Sequence, residues 1–67
     1  MIPARDIWKA AELMVKRYRE DAVAQAALRA EEALDEGDLN GGASWMAIVR
    51  AIEEMWRSEP REGELVN

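Results

Sequence analysis

Any chemistry in this chain must come from carboxylates, hydroxyls and aromatic rings, because its 67 residues include neither cysteine nor histidine. Thiolate and imidazole metal sites, disulfides and thiol nucleophiles are thereby excluded. The most suggestive spacing is Glu36-Gly37-Asp38-Leu39-Asn40-Gly41, which sets oxygen ligands at alternate positions before a glycine, as a calcium-binding EF-hand loop does. With Gly41 as the sixth loop position, the twelfth falls on Ala47, where that loop needs a bidentate glutamate. The strongest ligand is missing, and the segment reads instead as a capped turn between helices. Glu31, Glu32, Asp35 and Glu36 form an acidic run of the residue type that a cation site or a glycosidase pair uses. At about 100° per residue, however, Glu31 and Asp35 share one side of a helix and Glu32 and Glu36 another, which is the pattern of a solvated face. Ser44 and Ser58 have no base at a spacing that brings one near. The expectation is a protein that is not an enzyme and uses no cofactor or metal.

The aromatic residues point elsewhere. Trp8, Trp45, Trp56 and Tyr18 offer stacking faces, yet basic residues are not interleaved with them as a single-strand nucleic-acid surface requires. A net charge of −5 argues against direct nucleic-acid binding, whose affinity depends on clustered Lys and Arg. The one basic cluster, Lys16, Arg17 and Arg19, lies beside Glu20 and Asp21 and reads as a solvated helix end whose cations favour the C-terminal dipole. The tryptophans stand at helical core spacing, so core packing is their expected role, with a core shared between subunits as the competing one.

These residues have to be held by helices, and the pattern predicts three. Pro3 suits a first helical turn, and Ile7, Trp8, Ala11, Met14, Val15 and Tyr18 cover an arc about 160° wide, giving a helix over residues 3 to 18. Leu13 falls outside that arc, among Asp6, Lys9 and Arg17. Residues 21 to 36 form the second helix, an alanine-rich element with Ala22, Val23, Ala26, Ala27, Ala30, Ala33 and Leu34 on one side. Its small side chains make a floor on which bulkier helices approach closely. Asp21 is placed to cap it. A single rod from 3 to 36 is the alternative, rejected because only the third helix would cover its apolar face. Gly37 then adopts φ > 0 and Asp38 caps a third helix over 39 to 58, where Gly41 and Gly42 allow close approach of another backbone. Trp45, Ile48, Val49, Ile52, Met55 and Trp56 face one way along it, and Pro60 ends it near Ser58.

The predicted fold class is all-α: a compact three-helix unit over residues 1–58 with a flexible acidic tail over 59–67, assembled as a homodimeric helical bundle. A domain this small has a thin stability margin and no disulfide or metal to add to it. Leu13, Leu28 and Met46 fall outside the core arcs of their helices, and Trp8 and Trp56 stand at or near the limits of theirs. These five residues are the candidate protein interface. No leader segment and no bilayer-length apolar run is present, so the expected location is cytoplasmic, with no membrane partner.

Laid out in this way, the chain resembles a group of small uncharacterised alphaproteobacterial helical proteins. The shared pattern is Asp6-Ile7-Trp8 with Ala10-Ala11, Arg17-Tyr18, Asp21-Ala22, Ala27 with Arg29-Ala30, Gly37-Asp38 with Gly41, Trp45, and Glu53-Glu54. It runs nearly to the tail. Such proteins often have glycine where this chain has Arg19, which implies a helix end there. The resemblance supplies no catalytic or binding residues. Ala27, Ala30, Gly37-Asp38 and the Trp-bearing helix after them are also similar to a helix-turn-helix repeat of the tetratricopeptide kind, although one such unit is not an array. The function these observations favour is a non-enzymatic protein–protein interaction module, a small acidic adaptor or regulator that pairs with itself or another protein. The alternative is an acidic, antitoxin-like partner of a basic nucleic-acid-binding protein or toxin.

Overall fold

A computed structural model of the chain describes residues 4–58, and these are all-α, with no strand among the described residues. α1 spans Ala4–Tyr18, a 3-10 turn spans Arg19–Asp21, α2 spans Ala22–Asp35 and α3 spans Leu39–Ser58. The expected start at Pro3 and the tail over 59–67 lie outside the described residues. α3 shares its longest interface with α2 and a shorter one with α1, while α1 and α2 touch least.

Local chemistry fixes the connection between α2 and α3. Gly37 sits at φ 81°, in the left-handed region where glycine has no Cβ penalty. Its N–H donates to the Leu34 carbonyl at 3.0 Å, and the Asp38 N–H donates to the Ala33 carbonyl at 2.8 Å. Together these bonds are a Schellman motif, which satisfies carbonyls that the end of α2 would otherwise leave open. Asp38 then caps α3 directly, its Oδ1 accepting from the Gly41 N–H at 2.9 Å. The glycines of that first turn serve a purpose somewhat different from the expected one. A Cβ on Gly41 would collide with the capping carboxylate of Asp38, and one on Gly42 would stand 2.6 Å from Leu34 Cδ2. Side chains approach closest here; the Ala30 carbonyl oxygen would lie 3.7 Å from a Cβ on Gly42.

The first connection is built less well. Arg19 lies at φ 53°, a left-handed conformation in which a side chain bearing Cβ is crowded. Asp21 occupies the N-cap position of α2, but its side chain makes no capping hydrogen bond. The predicted carboxylate cap is corrected on this point: the 3-10 turn delivers Asp21 with φ −89° and ψ 3°, not the extended backbone a capping side chain favours.

Ala22, Ala26 and Ala30 are buried along one stripe of α2, as the small-residue floor requires. Against this side of the molecule pack Ile48, Val49, Ala51 and Ile52 of α3 and Ala11 and Met14 of α1, forming the core with Ala22 and Ala26. Ile52 is the one large side chain among the described residues that is wholly removed from solvent. A helical unit this small encloses little interior. Trp45 packs against the core. Trp8 and Trp56, expected there too, are 42% and 41% exposed. Leu34, on the apolar arc of α2, lies over Gly42 and stays about half exposed.

Candidate interaction surface

The residues that remain available are apolar ones on the outside. Leu13 is 66% exposed, and Leu28 and Met46 are exposed as well, as are Leu34 and Leu39. Helical geometry explains the first two: Leu28 lies about 160° around α2 from the alanine stripe, and Leu13 about 130° around α1 from Ala11 and Met14. Leu39 is exposed because it follows the cap immediately, at the first position of α3.

Trp56 borders a concavity. A hollow of about 440 Å³ is lined by Val15 and Lys16 near the end of α1, Arg19 and Glu20 of the 3-10 turn, and Trp56 near the end of α3. An indole and a valine are thus set beside two cations and a carboxylate. Leu13 and Leu28 project from the backs of their helices, so the structure does not gather the five candidates into one site. The sequence pattern makes Lys16 and Arg19 a solvated helix end and does not place them beside Trp56. The available signal was the arc of α3, on which Trp56 shares the side of Ile52 and Trp45, but nothing local indicated which segment it would meet.

Charged groups elsewhere serve the scaffold. The Arg29 guanidinium lies 5.6 Å from the centroid of a Trp45 ring, a cation–π contact that ties α2 to α3. The Arg17 guanidinium lies 6.0 Å from the Tyr18 ring. Arg57 and Glu54 form an exposed i,i+3 pair at 3.4 Å, a geometry worth a few tenths of a kcal/mol. The acidic run of α2 stays on the surface, and among the described residues no three carboxylates are placed to hold a metal ion. Asp38, the centre of the EF-hand-like spacing, has its carboxylate engaged in the cap. No helix among the described residues is long and apolar enough to cross a membrane. Comparison of the chain with protein-family models, with curated proteins and with solved structures found no match.

Proposed function

We propose that the protein is a non-enzymatic interaction module, a three-helix unit whose outward apolar residues are covered by another protein, with a second copy of the chain as the first such partner. The observation that carries this reading is the exposure of Trp8 and Trp56, two of the three tryptophans, in a chain that buries few large side chains. Aromatic residues half out of water are the usual anchors of protein interfaces, where their large apolar area is desolvated. Burying one exposed leucine or methionine stabilises by roughly 1.5–3 kcal/mol, and a symmetric pair of chains buries each such residue twice. The dimer runs through α1 and α3, the helices that bear Trp8, Leu13, Met46 and Trp56.

Sedimentation equilibrium over a wide concentration range, with thermal melts on the same samples, tests this. The wild type is expected to gain mass and melting temperature with concentration. The double variant Leu13→Lys, Met46→Lys should stay monomeric at the same concentrations. A wild-type monomer throughout, with a melting temperature independent of concentration, would sink the self-association.

A second reading follows from charge. With a net charge of −5 and the exposed Glu31, Glu32, Asp35 and Glu36 at one end of α2, the chain suits a basic partner, such as a nucleic-acid-binding protein or toxin that it would mask. Recovery of one basic protein from native lysate, with binding that weakens steeply as salt rises, would favour it. Binding indifferent to salt would count against it.

A further inference from the structure

The two connections of this chain are unequal, and we infer from the weaker one that the partner copy is engaged by exchange of α1. The turn at Arg19–Asp21 contains no glycine or proline, holds Arg19 at φ 53° and leaves α2 without a side-chain cap. The Ala22 N–H reaches only the Arg19 carbonyl, the short bond of a 3-10 turn. Straightening the segment into a helix running from Ala4 to Asp35 removes each of these defects. Arg19 returns to the right-handed region, and the first N–H groups of α2 find carbonyls one turn back. Lys16 with Glu20, and Arg17 with Asp21, come to i,i+4 spacing; in the observed turn none of these four forms an ion pair with another described residue.

A straightened chain loses the packing of α1 on its own α3. In an isolated molecule that loss rules the straight form out, because Ala11 and Met14 belong to the core. Two straightened chains restore it by exchange, each α1 packing on the α3 of the other copy with the contacts seen here. α1 is suited to this since it touches α2 least and α3 more. The α2–α3 connection is locked by its Schellman bonds and the Asp38 cap, and it moves as a unit. Strained hinges that contain good helix formers are where such swaps arise.

The inference rests on the self-association proposed above and adds its mechanism. Its test is Arg19→Gly, which favours the observed turn twice, by relieving the left-handed residue and by weakening the continuous helix. Each effect is worth roughly a factor of five per chain, so with two effects in each of two chains the dissociation constant of the dimer should rise about 600-fold. Mixing differently labelled wild-type dimers should show subunit exchange no faster than unfolding of the chain, because α1 must leave one core to enter another. An Arg19→Gly protein that dimerises as tightly as wild type, or wild-type subunits that exchange faster than the chain unfolds under the same conditions, would overturn the swap. The pattern across variants separates the two ideas. If Arg19→Gly is silent and Leu13→Lys, Met46→Lys abolishes the dimer, the swap fails and the surface reading stands. The reverse pattern leaves the swap standing and removes the exposed faces from the dimer.

Discussion

Among the described residues two end helices in the left-handed region, Gly37 at φ 81° and Arg19 at φ 53°, and only one of them is glycine. For Gly37 the conformation carries no steric penalty, and an added Cβ would meet nothing within 4 Å. Gly37→Ala is therefore a purely backbone perturbation, expected to destabilise by about 1 kcal/mol. Asp38 stands next to it with a different task. Asp38→Ala leaves the Gly41 N–H without its acceptor and should cost about 1 kcal/mol, whereas Asp38→Asn, which keeps an acceptor oxygen, should cost only a few tenths. Urea unfolding followed by circular dichroism reads all three as shifts in midpoint with an unchanged slope. If Asp38→Asn proves as damaging as Asp38→Ala, the cap does not act as the geometry implies.

At the scale of the helix, α2 shows what alanine is for. Ala22, Ala26 and Ala30 recur every four residues and are buried, so the helices against them meet on backbone and methyl groups. Ala26→Leu introduces bulk where no space exists. It should destabilise by about 1–3 kcal/mol, while Ala24→Leu on the exposed side of the same helix should be close to neutral. Comparable losses at both positions, measured by thermal melts, would show that the stripe is not a packing surface. The alanine stripe and the second connection were legible in the sequence because both are written locally, in the period of small residues and in Gly37-Asp38. The place of the first connection was legible too, because a single rod would leave its apolar face uncovered, and α1 ends at Tyr18 as expected. Its form was not: Arg19-Glu20-Asp21 is compatible with continuous helix, and nothing local indicates a 3-10 turn that holds Arg19 in the left-handed region. Where Trp8 and Trp56 would lie was also illegible, since the width of an arc says which side of a helix is apolar but not whether a neighbour extends far enough to cover it. The hollow beside Trp56 depends on which helix ends meet, which no single segment encodes.

For the whole molecule the controlling quantity is how little it buries. A chain of 67 residues has a total margin of about 3–10 kcal/mol. Ile52→Ala removes the one large side chain among the described residues that is wholly out of solvent and should cost about 2–5 kcal/mol, a large part of that margin. The variant should melt well below the wild type and regain some of the loss at high protein concentration, where association adds to stability. An Ile52→Ala protein that melts like the wild type would show that the core is not where the burial places it. The order of packing partners along the chain bears on how the protein is made. α1 leaves the ribosome first, yet its main partner is α3, whose last residues are synthesised 40 positions after Tyr18. At about 5–20 residues per second that interval is roughly 2–8 s, while helices form in about a microsecond. During synthesis α1 is thus an amphipathic segment, marginal as an isolated helix and with no docking site of its own, and on a polysome the α3 of the chain ahead is completed before its own.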